Sequence, residues 1–512
     1  MATTSLVEWR RWGRAAFGEA CAEQAPVLLA LAPPWCPATA AMMRGAYADP
    51  RVADLLDERF VPIRVDADER PDIAERYGLG AWPTTAFLTP DGQVLGGETY
   101  ATAERMRGLL PRVADAFAAQ RHTIAEHGAT VALHAATSPA EAPGARPVGS
   151  AGGEPDPTID GWLGGHLLAQ FDERHGGFGA GAKRVHAAAL ELAWRRARDG
   201  EPAFAAVVDR TLRAMARGGL YDELDGGVFR YCARRDWSAP ATEKLLDVNA
   251  EALRLFLLSD DDGCLDRAVG VVGYVRRTLS DLTPGRAGFF ASQQGDPAYY
   301  RPRAEEEVPV GAPPPVDRAV YADGTALMAR AFAAASATLG DSSLLEFAVD
   351  AMEHVVAGTY ERGGGIAHRA GSRTGVRGLL ADQVRASAAL LDLHESTGRE
   401  AYLDVAQELM HFAVRHLWDT AGGGFLDRVH GPDDIGLLRE RIRPFAANCE
   451  AARVLLRLAS ITADPAFRDR AAHTVASQTA AARKQGVDAA PYALATRDLL
   501  SADAAVRRQP PK

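Results

Sequence analysis

The first 120 residues alternate between short apolar runs and amphipathic stretches. Pro26 to Ala32 (PVLLALA) and Phe60 to Val65 (FVPIRV) are nearly continuous apolar runs with the length of buried strands. Between them Ala38 to Arg59 reads as a helix broken near Asp49-Pro50 and resumed at Arg51, because a residue before proline avoids the helical region. A third run, Thr84 to Leu88, ends at the turn sequence Thr89-Pro90-Asp91-Gly92, so Gln93 to Gly96 is expected to return as a strand. Ala103 to Gln120 closes the region as a helix. Strand, helix, strand, hairpin and helix make a small α/β domain.

Beyond a stretch rich in Pro, Gly, Ala and Ser, the period changes. From Thr158 onward apolar residues recur at helical spacing, as in Phe204, Val207, Val208, Leu212 and Met215, over about twelve segments. A glycine-rich phrase with an aromatic or apolar residue returns between alternate helices. It appears as His175-Gly176-Gly177-Phe178, Gly226-Gly227-Val228-Phe229, Gly288-Phe289-Phe290, Gly363-Gly364-Gly365-Ile366 and Gly422-Gly423-Gly424-Phe425. Such an internal repeat predicts helical hairpins with their loops gathered at one end, hence a closed toroid of six hairpins. A helical solenoid is the alternative, although its repeats of roughly 33 to 47 residues are shorter and more regular. The boundaries expected are 1–122 for the α/β domain, 123–157 for a linker and 158–505 for the toroid, with a loose excursion over Asp296 to Asp317.

Charge narrows the partners. The 512 residues carry 57 basic and 67 acidic side chains, a balance of −10, and the basic residues are scattered, so neither nucleic acid nor a membrane surface is expected. Only four lysines occur, Lys183, Lys244, Lys484 and Lys512. The N-terminus lacks the apolar core of a signal peptide, and no run approaches the roughly 18 apolar residues of a membrane helix, which predicts a cytoplasmic protein. Five widely spaced cysteines fit a reducing compartment, with Cys21, Cys232, Cys264 and Cys449 read as packing residues. His122, His127 and His134 suit no single helical face, and metalloprotease, phosphate-loop and dinucleotide signatures are missing, so no metal or cofactor is expected.

Cys36 is the first chemical candidate. It follows an apolar run and opens a helix, where backbone N–H groups and the helix dipole favour a thiolate. Trp82-Pro83 precedes a strand, and a cis bond there would bring backbone close to Cys36.

The stretch from Trp9 to Gly97, with Trp35-Cys36-Pro37-Ala38-Thr39, Val65 to Asp72 (VDADERPD) and Gly80 to Gly92 (GAWPTTAFLTPDG), resembles the thioredoxin-like domain of the spermatogenesis-associated, thioredoxin-domain protein family. Met215 to Asp222, Gly226 to Tyr231, Asp236-Trp237, Pro240 and Glu243 to Leu246 are similar to that family's helical region. The resemblance implies an α/β thioredoxin-like domain followed by an all-α (α/α)6 toroid of the six-hairpin glycosidase-like kind, which includes sugar epimerases and glycoside hydrolases. It also implies a second cysteine where Thr39 stands, so Cys36 cannot close an internal disulfide in this motif. Other departures are Ala241-Thr242 before Glu243, Asp247-Val248 after the leucines, and Ala322-Asp323 before Gly324.

Three functional readings follow. In the first, the chain has a thiol-linked redox or regulatory role, with Cys36 reactive, Thr39 bonding its thiolate, Pro83 beside it, and a thiol-containing protein as partner. In the second, the toroid binds or transforms a small sugar, with Asp222, Asp236 and Glu243 as catalytic candidates and Arg230, Tyr231, Trp237, Asp323, Asp382 and Asn448 as substrate-binding candidates. Asp225 and Glu450 are further loop acids. That chemistry needs two carboxyl groups lining one pocket about 5 to 10 Å apart. In the third, the chain is a non-catalytic scaffold. Whether the protein is an enzyme stays open at this point.

Overall fold

The apolar runs of the first region become the strands of one sheet. In the computed structural model, residues 6–126, 154–283, 285–301, 311–372 and 376–507 are described. Most of the expected linker, with His127 and His134, lies outside them, as does the middle of the 296–317 stretch. The first region runs α1 (Arg14–Glu23), β1 (Val27–Leu31), α2 (Pro37–Arg44), α3 (Pro50–Arg59), β2 (Val61–Val65), α4 (Pro71–Tyr77), β3 (Thr84–Leu88), β4 (Val94–Glu98) and α5 (Ala103–Glu126). The strand order is β2-β1-β3-β4, with β1 parallel to β2 and antiparallel to β3. The five residues of β1 are all buried, as a central strand covered on both faces requires. The expected helix break is made by Asp49, whose carboxylate accepts the Val52 N–H at 3.1 Å, with Pro50 in the first helical position.

Two compact units divide the chain, Met1–Arg146 with His430–Arg441, and Pro147–Val429 with Ile442–Lys512. The segment His430–Arg441, which periodicity alone assigns to the toroid, is thus grouped with the first unit. Ile435 and Leu438 are buried with Ile63, Tyr77 and Leu88. The Tyr77 hydroxyl donates to Gly92 O at 2.8 Å and accepts the Leu437 N–H at 2.9 Å. Two apolar anchors and a satisfied tyrosine explain why this loop leaves the helical pattern.

The second unit holds twelve α-helices among the described residues: α6 (Ile159–Gln170), α7 (Ala187–Arg198), α8 (Pro202–Arg217), α9 (Leu246–Phe256), α10 (Asp262–Thr278), α11 (Ala322–Leu339), α12 (Ser342–Thr359), α13 (Leu380–Thr397), α14 (Glu400–His416), α15 (Phe445–Thr462), α16 (Pro465–Ala482) and α17 (Ala490–Arg507). Helices α7, α9, α11, α13, α15 and α17 each touch the next, and α17 returns to α7, giving an inner ring of six. Each of the first five pairs with the outer helix that follows it, while α17 pairs with α6. First helix against last closes the ring, which a solenoid would leave open. Links from inner to outer helices include tight turns such as Gly340-Asp341 and Gly398-Arg399, whose glycines have φ of 73° and 70°. The glycine phrases occupy the returns from outer to inner helices, and so gather at the N-terminal ends of the inner ring.

One device pins four of these returns. An acid at the start of the hairpin meets a cation further along: Asp172 with Lys183 (3.0 Å), Asp222 with Lys244, Glu361 with Arg377 (3.3 Å), and Asp419 with Arg443 (3.6 Å). The same cations donate to glycine carbonyls, Gly179, Gly226, Gly365 and Gly423, at 2.7 to 2.8 Å. A side-chain amide on the following inner helix completes three of them. Asn249, Gln383 and Asn448 accept from Val228, Ile366 and Phe425 N–H at 2.8, 2.9 and 2.6 Å, and return a hydrogen bond to the carbonyl of the same residue. Backbone groups buried in a loop need such partners, which is why polar residues recur beside the glycines. No described helix is long and apolar enough to cross a membrane.

Candidate functional site

The inner helices carry charged residues in a helical stripe on helices that are otherwise mostly buried. In α9 the second, sixth and ninth residues are Asp247, Glu251 and Arg254; in α11, Asp323, Leu327 and Arg330; in α15, Ala446, Glu450 and Arg453. The sixth residue of α13 is Arg385. Spacing of four and three residues puts each set on one face. Asp247 is solvent-accessible yet surrounded by protein, which places this face on an enclosed lumen of the ring.

Arg385 is the hub of the upper tier. It donates to Asp323 Oδ2 at 3.0 Å and, through Nε, to Glu450 Oε2 at 3.5 Å, and its charge is also felt by Asp247 and Glu251. His368, from the hairpin before α13, stacks on Tyr321 at 4.7 Å, and its Nδ1 lies 2.9 Å from Asp382 Oδ1 and 3.9 Å from Asp323 Oδ1. Burial alone would raise the Asp323 carboxyl, but His368 and Arg385 outweigh it and hold the group below the ordinary range. Asp382, fully buried, is pushed up by desolvation in spite of His368.

Glu251 is the most perturbed acid of the tier. Burial, then the neighbouring Asp247 charge, push its carboxyl from 4.5 up to about 7, and no cation lies within ion-pair distance of it among the described residues. A carboxyl poised there is protonated and deprotonated in comparable amounts at neutral pH, as a general acid or base requires.

Donor atoms of Asp323, His368 and Asp382 lie within 4.8 Å of one another and could together hold a metal ion. The same carboxylates already have cationic partners, Arg385 on Asp323 and His368 beside Asp382.

The structure brings two of the sequence candidates, Asp323 and Asp382, into this tier, with Glu450 beside them. Others have framework roles instead. Asp222 is paired with buried Lys244 and its two oxygens accept the Leu224 and Asp225 N–H groups, while Asn448 holds the Phe425 loop. Trp237 is 2% exposed, at a φ of 59°, with its indole N–H on His175 O, so its ring is covered and cannot stack on a sugar. Asp236 is exposed and turns back on Ser238. Glu243 is buried and lies 3.7 Å from Arg230, whose guanidinium sits over the Tyr231 ring at 5.0 Å. Glu251, Arg385 and His368 are absent from the sequence candidates. Glu251 and Arg385 were signalled by their place on a charged stripe of the inner helices, whereas His368, in a hairpin, had no such signal.

In the first unit Cys36 is the N-cap of α2 and only 4% exposed. The Trp82-Pro83 bond is cis, and Trp82 meets Trp35 edge-on at 6.4 Å, so both expected segments do converge. Thr39 Oγ1 is buried with no hydrogen-bond partner, so the expected Thr39–Cys36 bond is not made. Cys232, Cys264 and Cys449 are buried, and burial pushes the Cys232 thiol up to about 12 and raises the other two. Cys21, read as a packing residue, is exposed.

Comparison with known proteins matches both regions. Residues 1–135 match the family model described as Thioredox_DsbH, protein of unknown function, DUF255. Spermatogenesis-associated protein 20 of Mus musculus is 29% identical over 316 residues, 57% of this chain and 39% of that protein. The chain therefore matches about two fifths of that relative's length. Cellobiose 2-epimerase from Spirochaeta thermophila DSM 6192 superimposes with a TM-score of 0.52 at 16% identity, covering 69% of this chain and 98% of that one. A D-mannose isomerase gives 0.53 at 10% identity, covering 67% and 96%. At such identities the likeness concerns the fold. The chain is similar in sequence to the spermatogenesis-associated protein 20 group and carries a thioredoxin-like region followed by an (α/α)6 toroid of the kind seen in sugar epimerases and isomerases.

Proposed function

We propose that the toroid lumen takes a small polyhydroxylated molecule and moves a proton on it. Glu251 is the acid–base group, the His368–Asp382 pair its partner, and Arg385 and Asp323 orient hydroxyl groups. The observation that carries this reading is an enclosed, unpaired carboxyl held at about 7. Taking a proton from the carbon beside a sugar carbonyl and returning it needs a base that works near neutrality. The fold likeness to a cellobiose 2-epimerase and a D-mannose isomerase supports sugars as the class to test.

The test is deuterium exchange. Hexoses and disaccharides incubated with the protein in D2O are expected to gain deuterium at the carbon next to the carbonyl, read by proton NMR. If no sugar exchanges and none binds saturably, the reading fails.

The placement of Cys36 supports a second reading, a thiol-linked role with a thiol-containing protein partner. A single cysteine at a helix N-terminus beside a proline loop can be trapped as a mixed disulfide. Folded protein carrying Cys21→Ser is expected to become glutathionylated at Cys36 by oxidised glutathione, read by intact mass. An unmodified Cys36 in that variant, with Cys21 reacting in the parent, removes this role.

A further inference from the structure

Further along the inner helices than the upper tier stand five arginines, Arg195, Arg254, Arg330, Arg453 and Arg457. Four are paired. Arg195 meets Glu191 and Asp498 at 2.8 and 2.6 Å, and Arg453 meets the same two acids at 2.7 and 2.8 Å. Arg330 and Arg457 share Asp392, each at 2.7 Å, and Arg457 also meets Glu395 at 2.8 Å.

Arg254 differs. It is enclosed by protein, yet among the described residues it has no carboxylate within 4.0 Å and no hydrogen-bond acceptor, and its strongest electrostatic neighbour is another cation, Arg330. Of the acids whose charge reaches it, Glu191 and Asp392 each already hold two arginines, and Glu251, on the preceding turn of the same helix, forms no ion pair with it. The tier therefore has five cations and four acids, with the uncompensated charge at Arg254. An enclosed, unpaired cation beside a like charge is costly, and a guanidinium fork is suited to a planar or tetrahedral oxyanion.

We propose that Arg254, with Arg330 beside it, is an oxyanion subsite at the foot of the lumen, and that the molecule taken there is a sugar bearing a phosphate or a carboxylate. The sugar part of this inference rests on the reading of the lumen given above; the oxyanion subsite stands on Arg254 itself. Glu251 and Arg254 are three residues apart, about 4.5 Å along the helix axis. One monosaccharide unit can therefore offer its carbonyl end to the upper tier and its anionic group to the arginines. Arg254 and Arg195 stand in the last turns of their helices, where the helix dipole favours a cation, and Asp247 and Asp323 in the first turns of theirs, where it favours an anion.

Inorganic phosphate is the first probe. At equal ionic strength it is expected to raise the melting temperature of the full chain more than chloride does. Arg254→Met is expected to lose that response and, by removing a crowded cation, to melt higher than the parent when ligand-free; Arg254→Lys retains part of the response. Calorimetry with a neutral hexose, its 6-phosphate and the corresponding uronate then separates phosphate from carboxylate, with the preferred anion expected at least about tenfold tighter than the neutral sugar. The subsite is overturned if phosphate and chloride act alike on the parent, if Arg254→Met keeps the phosphate response, or if it lowers the ligand-free melting temperature as loss of a structural arginine would. Binding of neutral sugar without anion preference removes the subsite and leaves the lumen a sugar site. A phosphate response with no sugar binding removes only the sugar reading.

Discussion

Glu251→Gln is expected to lower proton transfer in the lumen by about a hundredfold or more and to remove any limb of the pH–rate profile near neutrality. It should also change how stability depends on pH. The folded carboxyl titrates at about 7 against an ordinary 4.5, so the folded protein holds a proton there that the unfolded chain has released. The stability this contributes is complete below about 4.5 and is lost as pH rises through about 7, a swing of about 3 kcal/mol. Glutamine stays neutral, so the variant keeps at pH 8 what the parent has lost. Urea unfolding across pH 4.5 to 8 checks the sign: the parent weakens relative to the variant as pH rises. Parallel pH curves for the two proteins would mean that Glu251 is an ordinary, solvated carboxylate.

Lys244→Met is expected to cost about 3–5 kcal/mol of stability, the range for breaking one side of a buried ion pair. Lys244 is 0% exposed, donates to Asp222 and to Gly226 O at 2.7 Å, and lies over the Tyr274 and Tyr300 rings at 4.2 and 4.9 Å. Removing it leaves the Asp222 carboxylate and a glycine carbonyl buried with one partner fewer. The double variant Lys244→Met/Asp222→Leu should recover part of the loss, since it removes the stranded charge. Asp236→Ala, at an exposed turn, is the contrast and should change stability by no more than about 0.5 kcal/mol. Equal denaturant midpoints for Lys244→Met and Asp236→Ala would show that the pinned return is not a source of stability.

These two residues mark where the sequence was readable. The glycine phrases announced the hairpins because a chain reversing with φ above zero favours glycine there, and Gly226 and Gly227 both stand at 78°. The acids of the returns and of the first helical turns after them were equally visible, but sequence does not separate a carboxylate that pins a hairpin from one that faces other charged side chains. Asp222 and Asp323 illustrate this, the first bonded to Lys244 and backbone N–H groups, the second facing Arg385 and His368. Glu251 lies inside a helix, away from any loop, and only its place on a charged stripe distinguished it.

The sequence by itself determined the periodicities: apolar runs of the length of buried strands, helical stripes and turn glycines. Each reflects contacts among residues near in the chain or a backbone angle set by a single residue. Tertiary structure decided the closure of the ring by α6 against α17, the grouping of Ile435 and Leu438 with the first unit, and the meeting of Glu251, His368, Asp382 and Arg385 in one lumen. The perturbed carboxyl and the unpaired arginine arise there because burial and charge at a point are sums over side chains from several helices, which no stretch of sequence contains.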